Sequence, residues 1–364
     1  MARNRVIYQS EALYVSENAS SVAAAKHEQI ERVQSANFSY TINRQDVNQF
    51  GNLARIDSLV LDPPTVSVDF SYYLTDGFNE RALGFFVETG ALTPTTGNFA
   101  SGHMIGSSGK NIYIATSPEG SDINRGGALG ADDSIIGIGN AYVSDYSVDM
   151  SVGSLPTVSM TMEGANVNSS ISGANFLTPA VDQENGTAVG LRVALPTPSS
   201  GNSSPITALR PGDITVTLDN FAGETISMLT GNDSAHVQSV SLSLPLSRSP
   251  LDRLGSRFPF AREVDFPVNV SMSISAIVNE TESMNLTDAL QSGVQTATVT
   301  LKDENSVDAM IWTLKGAQVD SESYSSSIGS NQTVDITLSA QVGGPADNDA
   351  GLFASGASTL KLFV

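Results

Sequence analysis

Apolar and polar residues alternate strictly in seven short segments of this 364-residue chain. The first reads VSVDFS from Val66 to Ser71. Alternation with a period of two, with Ser and Thr as frequent polar partners, predicts antiparallel strands that bury one face. The other six segments are 158–162, 214–218, 240–244, 270–274, 297–301 and 334–338. The pattern therefore predicts an all-β fold.

Helix-favouring residues are confined to three segments, 22–33, 79–87 and 285–291. The first contains consecutive Ala residues and places Glu28 one turn before Arg32. In the third, Asn285 is a candidate N-cap. The only Trp, Trp312, lies in an apolar run, 309–314, that predicts a buried strand. We expect one short helix in each β-rich unit.

Two blocks of the chain match later blocks without gaps. At a shift of 204 residues the identical positions are Arg44 on Arg248, Gly51 on Gly255, Pro63 on Pro267, Val66 on Val270, Ser67 on Ser271 and Ser71 on Ser275. At a shift of 176 they are Ala141 on Ala317, Val143 on Val319, Gly153 on Gly329, Ser154 on Ser330, Thr157 on Thr333 and Val158 on Val334. Because both blocks keep their order and their Gly and Pro register, we interpret the chain as two diverged copies of one unit.

This interpretation divides the chain into an N-terminal arm, 1–34, a first copy, 35–164, an insertion or connector, 165–236, a second copy, 237–340, and a C-terminal extension, 341–364. Each copy is predicted to be a sandwich or open barrel. A strand should end near Arg44, and a polar loop should run to Gly51, where the absence of a Cβ permits positive φ. Pro63 and Pro267 should then precede an edge-like strand.

Acidic residues dominate the charge pattern, and the net charge is −20. No Lys or Arg lies between Arg125 and Arg192, a stretch that contains seven acidic residues. From Asp265 onwards the chain contains twelve acidic residues and only three Lys. This balance argues against wrapping of nucleic acid, which needs cations. Two interpretations remain open: solvated acidic faces that favour solubility, or an acidic surface that repels an anion, with Arg-rich segments that dock onto acidic neighbours.

Recognisable catalytic or metal-binding patterns are missing from the sequence. The chain has no Cys, and its three His residues, His27, His103 and His236, are far apart and are expected to lie on the surface or in loops. The acidic segment 347–351 is expected to be a turn rather than a calcium loop. We also find no signal-peptide core and no apolar run long enough for a membrane span. We therefore expect no enzymatic activity, cofactor, metal site or membrane contact; a glycan hydrolase is the least supported alternative.

Three phrases carry a resemblance to a known family. They are NRQDVNQFGNLARID (43–57), PPTVSVDFSYY (63–73) and VGSLPTVSMTMEG (152–164). They resemble the tail tube (major tail) proteins of long, non-contractile-tailed bacteriophages. The resemblance implies β-sandwich units, each with a short helix, whose inner sheets join across subunits into one closed barrel. It also implies that the rings stack and that genome DNA passes through an acidic lumen.

From the resemblance we expect a homotrimeric, pseudo-hexameric ring, because two units in one chain replace two single-unit subunits. The expected partners are further copies, other tail components at the tube ends and passing DNA that is not bound specifically. The expected location is the virion tail, after synthesis in the bacterial cytoplasm. Segment 165–236 has no counterpart in this resemblance. The alternative function is a fibre or adhesin that binds a host surface or glycan, and a capsid or tail-terminator protein is a further structural possibility.

The loops that follow Arg44 and Arg248 are the candidate contacts between rings, since both copies keep an Arg and a Gly there. The candidate residues are Arg44, Asp46, Gly51, Arg55, Arg248, Arg253, Gly255 and Arg257. The positions that define the repeat are Pro63, Pro267, Gly153 and Gly329. On this hypothesis, charge reversal at Arg44 and Arg248 blocks stacking and leaves the fold intact.

Overall fold

Strands dominate the structure, a computed structural model that describes residues 11–17, 27–61, 63–90, 97–104, 109–123, 127–172, 176–183, 186–198, 214–219, 236–255, 258–277, 294–302, 307–327 and 331–357. Two short helices accompany the strands in this part of the chain. The predicted all-β class is therefore confirmed.

The elements follow one another in this order. The strands are β1 Glu11–Glu17, β2 His27–Ile30, β3 Val33–Thr41, β4 Arg44–Val47, β5 Asp57–Val60, β6 Thr65–Tyr73, β7 Glu88–Thr89, β8 Lys110–Thr116, β9 Ser134–Ser151, β10 Thr157–Gly164, β11 Asn166–Ser170, β12 Val181–Asp182, β13 Thr187–Ala188, β14 Ile214–Asp219, β15 His236–Pro245, β16 Arg248–Leu251, β17 Ala261–Val264, β18 Val268–Ile277, β19 Gln295–Lys302, β20 Asp308–Ser325, β21 Thr333–Val342 and β22 Gly351–Gly356. The helices are α1 Phe78–Leu83 and α2 Ser101–Met104.

Eight antiparallel strands form what we call the central sheet, in the order β20-β21-β18-β15-β9-β10-β6-β3. A first side sheet contains β2, β1, β8, β9 and β11, and a second contains β14, β19, β20, β22 and β7. Strands β9 and β20, with 18 residues each, belong to both kinds of sheet. Their first halves pair in a side sheet and their second halves in the central sheet, so these two strands join each side sheet covalently to the central sheet.

One large core fills the space between the central sheet, the side sheets and α1. All seven alternating segments form strands, as predicted. Six of them contribute apolar residues to this core, and Ile214 and Val216 of the seventh pack against it. The run 309–314 is also a strand, the first half of β20. Trp312 is fully buried there, with its ring centroid 4.9 Å from that of Phe99 and 5.9 Å from that of Tyr146.

The prediction of a helix at 22–33 is wrong for its described residues. His27–Ile30 is strand β2, in which Ile30 pairs with Leu13 of β1, and Val33 begins β3. Backbone pairing with β1 outweighs the moderate helix preference of this segment. The helix predicted at 79–87 is confirmed in its first half by α1, and segment 285–291 lies outside the described residues.

Two local predictions near the repeat also need correction. The segment after Arg44 is not a loop, because Arg44–Val47 pairs with Asp57–Val60 as a two-stranded hairpin. The strands after Pro63 and Pro267, β6 and β18, are interior strands with partners on both sides. The expected positive φ is confirmed at Gly51 (90°) and Gly255 (86°).

The predicted connector and extension contribute strands to the sheets. Within 165–236, β14 pairs with β19, and within 341–364, β22 pairs with β20. A second, smaller core contains Tyr14, Tyr113, Phe176 and Val193. Because neighbouring residues of β1 and β8 face the large core, this small core lies on the outer face of the first side sheet. Phe176 and Val193 therefore cover the face of the first side sheet that points away from the large core.

A buried carboxyl group connects α1 to the central sheet. Glu80 Oε1 accepts hydrogen bonds from the hydroxyls of Tyr72, at 2.9 Å, and Tyr146, at 3.4 Å. Burial raises the pKa of Glu80 from 4.5 to about 7, although the backbone and Tyr72 hydrogen bonds oppose this rise. The carboxyl group therefore carries a proton in the folded protein over a pH range in which the unfolded chain has lost it.

We predict that Glu80→Gln stabilises the protein at alkaline pH. Since the folded pKa exceeds the unfolded value, wild-type stability should fall as the pH rises from about 4.5 to 7 and remain low above that range. Gln keeps an acceptor for the Tyr hydroxyls and carries no charge, so the free energy of unfolding at pH 8 should rise by roughly 2–3 kcal/mol. Urea unfolding at pH 5 and pH 8 measures the effect. Asp335→Asn, at an exposed acid, is the control; an equal pH dependence in wild type and Glu80→Gln would contradict the prediction.

Candidate functional site: the assembly surfaces of the central sheet

The face of the central sheet that points away from the core is hydroxyl-rich and acidic. We call it the polar face; it consists of Ser35, Asn37, Ser39, Ser67, Asp69, Ser71, Asp145, Ser147, Asp149, Ser159, Thr161, Glu163, Ser239, Ser241, Ser243, Ser271, Ser273, Ser275, Ser321, Ser323, Ser325, Asp335, Thr337 and Ser339. These positions include five carboxylates and no Lys or Arg. The alternating strands produce this face because every second residue faces away from the core.

Hydrogen bonds connect side chains across the strands of the polar face. Thr161 Oγ1 donates to Asp69 Oδ1 at 2.8 Å, and the hydroxyls of Ser35 and Ser71 are 2.6 Å apart. Partial burial raises the pKa of Asp145 above its usual range. Arg262 of β17 approaches the border of the face, with Nη1 3.2 Å from a carboxylate oxygen of Glu163. The other four carboxylates give the face a negative potential.

Both outer edges of the central sheet are open within the described chain. Strand β3 pairs only with β6, and residues 318–325 of β20 pair only with β21. The nine residues of β3 include no charged residue and no Pro, the features with which proteins usually protect an edge. The open N–H and C=O groups of β3 are therefore suited to pairing with another strand.

Two hairpins, β4–β5 and β16–β17, extend from the same end of the central sheet, because each connects corresponding ends of its flanking strands. The β16–β17 hairpin packs on its own chain. The Arg248 guanidinium donates to the carbonyl oxygens of Val143 (3.4 Å), Arg262 (3.1 Å) and His103 and lies 5.0 Å from the ring centroid of Tyr142. The β4–β5 hairpin is mostly exposed and carries an ion pair, in which Arg55 Nη1 is 2.9 Å from Asp46 Oδ1.

The predicted inter-ring residues gather in these hairpins. Arg44, Asp46, Gly51 and Arg55 lie in β4–β5, and Arg248, Arg253 and Gly255 lie in β16–β17, whereas Arg257 lies outside the described residues. Contact with the next ring stays a prediction. Charge reversal at Arg248 would also break contacts inside the chain, so of the two Arg residues Arg44 is the better position for testing a contact with another chain.

Sequence reasoning missed the apolar hairpin tips. Phe50, Leu53 and Leu254 are fully exposed. Their signal was the presence of large apolar residues beside a Gly in an otherwise polar segment. Of the other repeat-defining residues, Pro63 and Pro267 precede β6 and β18, Gly153 has a φ of 87° in the β9–β10 turn, and Gly329 lies outside the described residues.

The His residues do not form a site. His27 and His103 are buried, so their expected surface position is wrong, while His236 is exposed. Burial lowers the pKa of His103, with a further contribution from Lys110 and Arg248. No group of three or more His, Asp or Glu side chains in the described ranges could hold a metal ion. Segment 347–351 contains the expected turn, in which the Asp349 amide donates to Asp347 Oδ1 at 2.8 Å.

Helices of the described residues are all too short or too polar to cross a membrane.

Corresponding positions of the two hairpins differ in burial. Val264 is 7% exposed, but Val60, 204 residues earlier, is 48% exposed. Leu246 is fully buried, but Ile42 is 41% exposed. The second hairpin thus buries Leu246 and Val264, while the first hairpin presents Ile42 and Val60 to solvent.

We predict unequal effects for one substitution at these two Val residues. Val264→Ser should lower the free energy of unfolding by about 1–3 kcal/mol, because it places a hydroxyl in a buried apolar site. Val60→Ser should change it by less than about 0.5 kcal/mol in the isolated chain, because the residue is half exposed. Chemical denaturation of dilute protein measures both values, and equal losses would show that the two hairpins are packed alike.

The chain matches no protein-family model and no curated protein. A chain in the cryo-EM structure of the anti-feeding prophage (AFP) baseplate, 6-fold symmetrised, is similar in structure, with 15% sequence identity and a TM-score of 0.27. The match covers 40% of this chain and 92% of that chain. This likeness assigns neither a function nor an assembly to the protein.

Proposed function

We propose that this protein is the structural subunit of a phage tail tube. Three copies close a ring in which the central sheets join into one barrel, and rings stack into a tube whose lumen conducts DNA. The observation that carries the proposal is the β9–β15 ladder, which joins the first copy to the second. The strands that correspond to β15 and β9 in the other copy, β3 and β20, form the two open edges of the central sheet.

Strand registers support the two-copy interpretation on which this proposal rests. At the shift of 204, β4 Arg44–Val47 falls on β16 Arg248–Leu251, and β5 Asp57–Val60 falls on β17 Ala261–Val264. The β3–β6 ladder corresponds to the β15–β18 ladder pair by pair, including a bulge at Gln34 and Gln238. The β9–β10 and β20–β21 ladders correspond in the same way, at a shift of 176 and with a bulge at Ser144 and Asp320.

The arrangement of the copies favours ring closure. Strand β3 corresponds to β15, and β20 corresponds to β9. The two outer strands of a chain are therefore the counterparts of the two strands that pair in its internal ladder. Such head-to-tail interfaces generate a ring when the rotation closes. Closure also removes the exposed edges, which are a hazard of strand-rich proteins.

The size of a three-chain barrel suits passage of DNA. Three times eight central strands are 24 strands. With a spacing of about 4.8 Å and a tilt of about 40°, they give a barrel roughly 48 Å across at the backbone. Side chains of roughly 5 Å on each wall leave a channel of about 38 Å, which admits a DNA duplex. The trimer itself is inferred from the family resemblance, in which single-unit relatives form rings of six.

The polar face then lines the lumen, because side sheets and α1 cover the other face of the central sheet. A wall with carboxylates and hydroxyls but no Lys or Arg repels phosphates, so DNA can move along it without adhering. The two hairpins point along the tube axis from one end of the ring, and their exposed apolar tips meet the next ring.

Electron microscopy of the purified protein at rising concentration tests the proposal. We expect rings or tubes with a central channel and three-fold symmetry in averaged end-on views. A compact trimer without a channel would contradict the proposal and favour the fibre or adhesin alternative. A persistent monomer should form tubes when purified tail-tip complexes are added as initiators, and failure under that condition also counts against the proposal.

We predict that cations on the polar face make the channel retain DNA. Ser159→Lys with Ser241→Lys places two cations at exposed positions of this face, so the double variant should assemble normally and bind phosphates inside the tube. Cryo-EM of tubes mixed with short DNA duplexes should show axial density that disappears as the salt concentration rises.

Wild-type tubes should show no such density. The matched control is Leu177→Lys with Ala194→Lys, which adds the same charge at exposed positions next to Phe176 and Val193, the residues that pack on the outer face of the first side sheet. Equal density in this control would show that the polar face does not line the channel.

A further inference from the structure

The structure contains a template for the contact between neighbouring subunits. Inside the chain, β15 pairs with β9 in a defined register that includes Ser241 opposite Asp149, Leu242 opposite Val148 and Leu244 opposite Tyr146. Both strands have a counterpart in the other copy, and both counterparts have an open edge. The partner for each open edge is therefore already described by the internal ladder.

We propose that β3 of one chain pairs with β20 of a second copy in the register Asn37 opposite Ser325, Phe38 opposite Tyr324, Ser39 opposite Ser323 and Tyr40 opposite Glu322. The β4–β5 hairpin docks beside it on β20 and β21 of the same neighbour. This inference rests on the proposed function and goes beyond it, since it fixes which residues meet. The register follows from transferring β15 to β3 by 204 residues and β9 to β20 by 176 residues.

Burial on the β3 side supports the proposed contact. Tyr40 is 61% exposed, whereas its counterpart Leu244 is fully buried by β9 and the surrounding core. The same difference holds for Ile42 and Leu246 and for Val60 and Val264. The apolar residues Leu244, Leu246 and Val264 are buried beside the first copy. The corresponding residues Tyr40, Ile42 and Val60 have no such neighbour and are exposed.

The β20 side shows the complementary difference. Tyr324 is 45% exposed, and its counterpart Val148 is fully buried under β15. Val319 is partly exposed, and its counterpart Val143 is fully buried beside the β16–β17 hairpin. Both halves of the interface therefore carry apolar surface that no described part of the chain covers, whereas the corresponding surface at the internal ladder is covered.

Side-chain chemistry across the transferred register is compatible. Phe38 meets Tyr324, an aromatic cross-strand pair of the kind that stabilises sheets. Tyr40 meets Glu322, so a phenol donor faces a carboxylate acceptor. Arg262 faces Glu163 inside the chain, and the corresponding pair between subunits, Ser58 and Ser339, is uncharged.

The hairpin base then acts between neighbours within one ring. Arg248 donates to the carbonyl oxygen of Val143, and the transferred contact is Arg44 to the carbonyl oxygen of Val319 in the neighbour. The tips of both hairpins, with Phe50 and Leu254, stay free for the next ring. Arg44 therefore contributes to lateral contact, and the tip residues contribute to stacking.

Cysteine pairs test the register, because the chain has no Cys of its own. Asn37→Cys with Ser325→Cys, in the full-length protein under mild oxidation, should yield covalent dimers and trimers on non-reducing gels. Phe38→Cys with Tyr324→Cys is tested in parallel, because adjacent pairs of an antiparallel ladder alternate in Cα separation. Reduction should return both variants to the monomer.

Two controls define the outcome. Ser241→Cys with Asp149→Cys has the same geometry within one chain and should form an internal disulfide, which shows that this pair type can oxidise. Asn37→Cys with Ser321→Cys is four residues out of register and should give at least tenfold less cross-linked product.

The results separate this inference from the proposed function. If rings and tubes form but neither in-register pair cross-links better than the out-of-register pair, the register is wrong and the tail-tube proposal stands. If in-register pairs cross-link into ladders well beyond three chains, the edge pairing holds and the three-chain ring is wrong. If neither rings nor cross-links form, even with tail-tip complexes as initiators, both proposals are overturned.

Discussion

Unpaired backbone at the edge of a sheet is the constraint on which the rest of this structure depends. Strand β3 has nine residues without charge or Pro and pairs on one side only within the described residues, which leaves a row of N–H and C=O groups that must find partners in water or in protein. Inside the chain the problem is solved where β9 meets β15. At β3 and at the second half of β20 the edge stays open within the described residues, and the neighbour proposed above would close it.

Strands β9 and β20 connect the central sheet to a second layer, the side sheets. Each runs from a side sheet into the central sheet, so the outer layer is fixed to the inner layer through continuous backbone. The core between the layers is continuous from the N-terminal to the C-terminal half of the chain. Bending one layer therefore requires movement of the other. A barrel assembled from such subunits would resist collapse, because every strand of its inner layer is supported by packed side chains from behind.

The sequence predicted the parts of the fold whose burial alternates. All seven alternating segments are strands because a sheet with one wet face selects that pattern directly. Strands β1 and β8 were not predicted, since the first side sheet buries both of its faces and leaves a continuous apolar run instead. The helix predicted at 22–33 failed for a related reason: its preference was local, while the pairing of Ile30 with Leu13 is not. The candidate residues in the hairpins were grouped correctly along the chain, but their different burial depends on tertiary contacts that no local pattern contains.

The two segments that we interpret as copies differ in charge on the polar face. Asp69, Asp145, Asp149 and Glu163 belong to the first copy, and the corresponding residues of the second are Ser273, Ser321, Ser325 and Ser339. Asp335 is the exception, with Ser159 as its counterpart. In a ring of three chains, the channel wall would then consist of six sheet segments, in which three strongly acidic segments alternate with three almost neutral ones. DNA on the axis of such a channel would experience a repulsion with a three-fold rather than a six-fold pattern, although the backbone around it is nearly six-fold.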